Sequence, residues 1–167
     1  MDYLDIVKSK AKDCAIFREY RFDAFIGRGG YGRVYEAFCH LYQKKYAVKI
    51  YAKSQKSDSR SNSLQRNEAD LLKRVHHKNI IKIYEYIETK YYIFVITELC
   101  EGGDLWKALE TFQNKYSCKA MPEKLVAQIV KQIIEGLLYL KEVCIIHRDV
   151  KPGSLCLTRQ YPYKEFR

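Results

Sequence analysis

The sequence predicts an α+β fold, in which a five-stranded antiparallel sheet with one helix precedes a helical region. Apolar and polar residues alternate in five stretches of residues 20–98, which is the period of half-buried strands. Between the third and fourth stretches, apolar residues from Leu64 to Val75 keep helical spacing. After Pro122, apolar side chains spread over roughly 220° of a helix at about 100° per residue. So wide an arc is typical of a helix that several neighbours bury.

Composition is that of a globular protein and argues against several other classes. Of the 167 residues, 47% are hydrophobic and 30% are charged. No apolar run approaches the roughly 18 residues of a membrane helix, and the acidic N-terminus does not resemble a signal peptide. The cytoplasm is the expected location, with the nucleus as the alternative. The net charge of +10 is spread along the chain, so we interpret it as a solvated surface and do not expect nucleic-acid binding. The six cysteines form no Cys-x-x-Cys pair, which predicts neither a zinc site nor a disulfide frame.

The elements follow from local pattern. Residues 1–19 are weakly periodic and allow either a tail or a short helix. A polar stretch at 52–63 predicts an exposed loop before the first predicted helix. The predicted strands cover residues 20–26, 34–38, 44–51, 81–87 and 91–98, and the later helices cover 105–112 and 122–141.

A glycine-rich run occupies residues 27–34, Gly-Arg-Gly-Gly-Tyr-Gly-Arg-Val. The Gly-x-Gly-x-x-Gly pattern alone is a weak signal, so its context decides between alternatives. A dinucleotide-binding turn needs a helix after the glycines, whereas the β-branched and aromatic residues that follow favour a strand. The run also lacks the Gly-Lys-Ser/Thr of a Walker loop. It therefore predicts a hairpin whose tip can approach phosphates through bare backbone N–H groups.

A second motif, Ile-Ile-His-Arg-Asp-Val-Lys-Pro, occupies residues 145–152. Apolar runs on both sides predict a tight loop between two short buried strands. The loop holds Asp149 two residues before Lys151. A carboxylate in this position could accept a hydroxyl proton while the ammonium neutralises a nearby phosphate.

These motifs, in this order, resemble the catalytic domain of eukaryotic protein kinases over about residues 20–157. The lysine at 151 is typical of the Ser/Thr type, because tyrosine kinases usually lack it. The segments Glu-Gly-Gly-Asp-Leu at 101–105 and Lys-Pro at 151–152 suggest the calcium- and calmodulin-dependent branch. The resemblance implies a kinase N-lobe at 20–98, a hinge at 99–104 and a partial helical C-lobe at 105–167, which follow the tail or short helix at 1–19.

The family's functional residues carry over onto this sequence. Asp149 would be the catalytic base and Lys151 a γ-phosphate contact, while Lys49 of Ala-Val-Lys would pair with Glu68 and position the phosphates. Outside the resemblance, Lys49 and Glu68 would be ordinary surface residues, and Asp104 would be a helix N-cap. The implied nucleotide contacts are Ile26, Gly27, Gly29, Gly30, Gly32, Val34, Ala47, Lys49, Glu98, Cys100, Asp104 and Cys156.

The sequence also departs from the family pattern. Ser154 stands where the family has a magnesium-binding Asn, and a hydroxyl poorly replaces an amide carbonyl. No Asp-Phe-Gly occurs before Arg167, although its Asp is the family's main magnesium carboxylate. ATP and Mg²⁺ are the implied cofactors, and the protein substrate or regulatory partner is unknown. Two functions stay open: part of an active Ser/Thr kinase truncated before Asp-Phe-Gly, or a catalytically silent module that binds a nucleotide or a partner. Catalysis by these residues alone is expected to be negligible.

Overall fold

A computed structural model describes residues 2–29, 32–53, 75–116 and 120–158 of the chain. The chain divides into two compact units. The first unit comprises Met1–His76 and Ile81–Leu99, and the second comprises His77–Ile80 and Cys100–Arg167. The domain boundaries drawn from the sequence stay predictions.

The first unit is built on a five-stranded antiparallel sheet with the strand order β1-β2-β3-β5-β4. The strands are β1 (Tyr20–Gly29), β2 (Gly32–Cys39), β3 (Lys44–Ala52), β4 (Ile83–Glu88) and β5 (Tyr92–Glu98). β1 continues three residues past its predicted end and takes in the first glycines, because the hairpin pairing extends to Gly29 and Gly32.

One face of this sheet forms the core of the first unit. Alternate residues of the central strands, such as Val48 and Ile50 on β3 and Phe94 and Ile96 on β5, are fully buried there. The same core includes residues from two N-terminal helices, α1 (Tyr3–Lys10) and α2 (Ile16–Glu19). The sheet's other face therefore presents the remaining residues of each strand.

The second unit contains two long helices, α3 (Leu105–Tyr116) and α4 (Glu123–Glu142), and a 3-10 turn at Pro152–Ser154. The segment 77–80 docks on α4. The Asn79 side-chain amide donates to the Gln132 carbonyl oxygen at 3.1 Å and to Glu135 Oε2 at 3.0 Å, and the His77 ring stacks on Tyr139 at 5.1 Å. Lys78 lies 3.0 Å from Glu135, and these contacts lower the pKa of the Glu135 carboxyl.

The α+β prediction, with its five-stranded antiparallel sheet, is confirmed. The predicted helix at 64–75 lies outside the described residues, except for the buried Val75.

The prediction of two short buried strands around Asp149 is wrong. No described residue from 143 to 150 is in a strand, Ile146 is 76% exposed, and the later apolar run makes only a single bridge, between Cys156 and Asp104. The first apolar run instead ends α4. Cys144 N–H donates to the Lys141 carbonyl oxygen and Ile145 N–H to that of Leu140, which is the hydrogen-bond pattern of a Schellman turn.

Candidate functional site

Three of the predicted nucleotide-contacting residues share the sheet face that lies opposite the core. Val34 pairs with Lys49 across β2 and β3, and Lys49 pairs in turn with Val95 on β5. Directly paired residues point to the same face, and Ala47 lies two residues from Lys49 on that face. The Lys49 ammonium lies 4.9 Å from the ring centre of Tyr51, also on this face. The first unit thus brings Val34, Ala47 and Lys49 together.

The predicted glycine hairpin is a strand-to-strand connection, with Gly27 opposite Val34 and Gly29 opposite Gly32. Its tip, which includes Gly30, lies outside the described residues. A Cβ on Gly32 would meet the Ile50 carbonyl oxygen at 2.5 Å, so the backbone of β3 itself requires glycine there. A Cβ on Gly27 would meet nothing within 4 Å. Ile26 is the extra residue of a β-bulge and is exposed.

The C-terminal end of β5 carries Glu98, one of the two predicted adenine contacts. Glu98 is anchored to the segment before β4, since its N–H donates to the Lys82 carbonyl oxygen at 3.0 Å and its Oε1 accepts from the Lys82 N–H at 2.8 Å. The Thr97 hydroxyl donates to the Glu98 carbonyl oxygen at 3.2 Å. A carbonyl oxygen has two lone pairs, so that of Glu98 can accept a second donor.

In the second unit, the backbone brings Asp104 beside Cys156. They form an antiparallel bridge, flanked by hydrogen bonds from Leu157 N–H to the Gly103 carbonyl oxygen and from Leu105 N–H to the Leu155 carbonyl oxygen, both 2.8 Å. Asp104 Oδ1 accepts from the Lys107 N–H at 2.9 Å and so caps α3, while Oδ2 lies 3.6 Å from the Lys107 ammonium. The N-cap alternative is therefore observed, and the ribose contact stays a prediction.

The loop around Asp149 is the most polar cluster among the predicted site residues of the second unit. Asp149 Oδ1 lies 2.8 Å from the Lys151 ammonium, and Oδ2 accepts from the Ser154 hydroxyl at 3.3 Å. The Asp149 N–H donates to His147 Nδ1 at 3.3 Å. The hydrogen bond and charge of Lys151 hold the pKa of the Asp149 carboxyl below its usual range, against the opposing effect of desolvation. Asp149 is therefore ionised at neutral pH, as a proton acceptor must be.

Backbone strain adjoins this cluster. Arg148 has φ 64°, in the left-handed region that non-glycine residues seldom occupy. A residue persists in this strained conformation only when the surrounding structure holds it there. Residues of this kind are found most often at functional sites. Sequence reasoning missed this feature, since Arg148 carries no residue-type signal for positive φ.

A metal would find few ligands in the part of the chain that the structure describes. Those residues contain no group of three or more His, Cys, Asp or Glu side chains placed to hold an ion. Ser154, the predicted magnesium ligand, donates its hydroxyl to Asp149, and its role as a ligand stays a prediction. The donor set therefore fits Mg²⁺ only in part, because this ion prefers one or two carboxylates together with phosphate oxygens.

Each unit thus gathers its own share of the predicted site. The first unit groups Val34, Ala47 and Lys49, and the second groups Asp149, Lys151 and Ser154 and, separately, Asp104 and Cys156. Glu68, like Gly30, lies outside the described residues. Within these residues, no helix combines the length and the hydropathy needed to cross a membrane.

Comparisons with known proteins identify the family of the chain. The family model described as "Protein kinase domain" matches residues 20–164. The chain is 34% identical to the cytokinesis protein sepH of Aspergillus niger over 93% of this chain and 11% of that protein. It is 33% identical to human testis-specific serine/threonine-protein kinase 4 over 95% of this chain and 47% of that protein. It is 35% identical to MAP3K epsilon protein kinase 1 of Arabidopsis thaliana over 92% of this chain and 10% of that protein.

The chain spans about a tenth to a half of the length of these curated relatives. Their names do not bear on the calcium- and calmodulin-dependent branch, which stays a prediction. The family model covers most of the chain, and two of the three relatives are named as kinases, one of them of the Ser/Thr type. The chain therefore belongs to the protein kinase family, and resembles its eukaryotic Ser/Thr members.

Proposed function

We propose that the chain carries the ATP-binding and catalytic-loop part of a serine/threonine protein kinase, which transfers the γ-phosphoryl group of ATP to Ser or Thr hydroxyls of a protein. One observation carries this proposal: Asp149 is an ionised carboxylate that lies 2.8 Å from the Lys151 ammonium. A hydroxyl that attacks a phosphate needs both a proton acceptor and a nearby positive charge. The side chains of Asp149 and Lys151 are more than half exposed, so both remain open to a substrate.

The other residue roles are those of the protein kinase family. Lys49 would contact the α- and β-phosphates, and the hairpin's backbone N–H groups would cover them. Backbone groups of Glu98 and Cys100 would bond the adenine edge, and Asp104 would reach the ribose with its Oδ2. The shared face of Val34 and Ala47 supports an apolar contact with the base.

Magnesium, when bound, neutralises the phosphate charge. Ser154 would supply one hydroxyl oxygen to it through a lone pair, while its O–H donates to Asp149. The 167 residues contain no Asp-Phe-Gly, so a second family ligand is missing from them. We therefore expect weak nucleotide binding by these residues and negligible transfer, because general-base help of about 10²–10⁴-fold cannot compensate for an unplaced γ-phosphate.

Calorimetric titration of the chain with ATP, with and without Mg²⁺, tests the binding part. Lys49→Ala should weaken binding because it removes the phosphate charge partner, and Gly29→Val should weaken it by crowding the hairpin. Lys44→Ala is the matched control, since Lys44 lies on the same strand but on the opposite face, beside the Tyr46 ring. Unchanged affinity in both site variants would reject the assignment.

A silent nucleotide-binding module is the second candidate function, and the Ser at position 154 favours it. Incubation with radiolabelled ATP and a generic basic protein separates the two functions. Phosphorylation above that of an Asp149→Asn variant would establish transfer by this chain. If neither is active, Ser154→Asn is expected to strengthen Mg²⁺-dependent ATP binding, because an amide carbonyl is the better magnesium ligand, whereas Ser154→Ala should not.

A further inference from the structure

The N-terminal segment of residues 2–19 precedes the stretch that the kinase family model matches. It is nevertheless part of the first unit's core. Val7 and Ile16 are fully buried, together with Val48 and Ile50 of β3. The Phe17 ring lies 5.4 Å from that of Phe22 on β1 and 5.8 Å from that of Phe94 on β5.

The start of α1 is fixed by its own residues. Asp2 and Asp5 form a capping box, in which each side chain accepts from a backbone N–H at the helix N-terminus. Val7 and Ala11 are buried against the core of the sheet, one turn apart. The capped end holds Tyr3, which is partly buried against the same core.

Tyr3 reaches the glycine hairpin. The Arg33 guanidinium lies 4.1 Å from the centre of the Tyr3 ring, within the range of a cation–π contact. Arg33 follows Gly32 on β2 and pairs with Ile50 of β3. Its side chain therefore points to the core face, away from Lys49, whose partner Val34 is the next residue along β2.

The hairpin has an electrostatic reason to need this contact. Arg33 lies directly opposite Arg28 on β1, and like charges opposite each other destabilise a strand pair. The Tyr3 ring offers its electron-rich face to one of the two cations. The contact thus holds the hairpin close to its tip, because Arg33 directly follows Gly32 and its partner Arg28 directly precedes Gly29.

We propose that α1 positions the glycine hairpin through the Tyr3–Arg33 contact. Residues 2–19 then contribute to nucleotide binding, and Tyr3 is a positioning residue. This inference rests on the proposed ATP binding. Tyr3 itself would not touch the nucleotide. Its loss would instead loosen the strand ends that aim the hairpin's N–H groups.

The test compares Tyr3→Ala, Tyr3→Phe and Phe17→Leu in the 167-residue chain. Phe17→Leu is the matched control, since it also removes an aromatic ring from the segment but one that packs on Phe22 and Phe94 instead of Arg33. Tyr3→Ala should raise the Kd for Mg²⁺·ATP by about threefold to tenfold, measured well below the melting temperature. Tyr3→Phe keeps the ring face and should bind like the unchanged chain.

Amide hydrogen exchange at Arg28, Gly29, Gly32 and Arg33, without nucleotide, is the second measurement. It should be faster in Tyr3→Ala than in Phe17→Leu and normal in Tyr3→Phe. Equal effects of Tyr3→Ala and Phe17→Leu on both measurements, or no effect of Tyr3→Ala, would overturn the inference.

Two further outcomes are also decisive. If Tyr3→Ala does not fold, Tyr3→Leu repeats the test with a side chain that keeps apolar bulk but has no ring face, and unchanged exchange and affinity would overturn the inference. If the unchanged chain binds no ATP, the proposed function fails by itself. The exchange rates then still decide whether α1 holds the hairpin.

Discussion

Cys144 holds a left-handed backbone conformation at the end of α4, with φ 59°. A side chain there costs roughly 1–2 kcal/mol, because its Cβ approaches the following carbonyl oxygen. Glycine avoids that cost but loses about 0.5–1 kcal/mol through its freer unfolded state. The strain energy that glycine removes is larger than the entropy cost that it adds. The Cys144 thiol is exposed, so its loss removes little buried apolar area.

We therefore predict that Cys144→Gly raises the free energy of unfolding by about 0.5–1 kcal/mol, which is about 1–4 °C in Tm for a chain of this length. Thermal denaturation followed by circular dichroism measures the shift. Cys144→Ala retains a Cβ and should give no gain. Equal Tm values for the Gly and Ala variants would contradict the strain argument.

At the scale of elements, the turn before α3 is hydrogen-bonded to the residues that follow the Asp149 loop, within the second unit. Gly103 has φ 72°, and its carbonyl oxygen accepts from Leu157 N–H at 2.8 Å. Gly102 N–H donates back to the Leu157 carbonyl oxygen at 2.8 Å. This pair of bonds holds Cys156 beside Asp104, so the conformation of one glycine supports two predicted site residues at once.

Gly103→Ala is expected to lower the free energy of unfolding by about 1 kcal/mol. The penalty of about 1–2 kcal/mol for a left-handed alanine outweighs the stabilisation that comes from the lower conformational entropy of the unfolded chain. Gly153→Ala is the control, because a Cβ on Gly153 meets nothing within 4 Å and Gly153 does not have positive φ. That variant should be neutral or slightly stabilised. Chemical denaturation of both proteins gives the comparison, and a Gly153→Ala loss as large as that of Gly103→Ala would refute it.

For the whole molecule, the features that the sequence predicted correctly are those set by interactions between residues close together in the chain. The five strands were predictable because period-two alternation is a local signal that burial of one face enforces. The hairpin and the shared face of Val34 and Lys49 then follow from strand pairing alone. Their roles in binding a nucleotide stay predictions, because no contact within the chain tests them.

The prediction from the sequence was wrong or undecided where contacts between residues far apart in the chain decide the local structure. Residues 145–146 were predicted to form a strand, but no described residue from 143 to 150 is in one, and Ile145 instead completes the turn at the end of α4. Residues 1–19 left tail and helix open, because α1 has only about two turns and too few apolar residues to fix a period. Burial of Val7 against the sheet stabilises α1, and the sequence of residues 1–19 alone does not reveal this contact.

The apolar face of α4, whose wide arc predicted burial by several neighbours, is only partly covered. Leu125, Gly136 and Leu140 are buried, but Val126, Val130, Ile134 and Leu138 are 41%, 43%, 50% and 54% exposed. Full burial of such a side chain contributes about 1.5–3 kcal/mol, so four half-exposed ones forgo roughly 3–6 kcal/mol. That is a large share of the 5–15 kcal/mol, roughly, that keeps a domain folded.

We expect the 167-residue chain, expressed alone, to self-associate and to bind dyes that fluoresce on apolar surfaces, because an exposed stripe of this kind favours association. Size-exclusion chromatography with light scattering measures the mass. The double variant Ile134→Glu/Leu138→Glu should shift the chain toward monomer and reduce dye binding, since it places charges on the stripe. Gln128→Glu adds a charge to an exposed α4 position outside the stripe and should change neither. A dispersed monomer with a cooperative melt and no dye binding, already in the unchanged chain, would show that the face of α4 does not drive association.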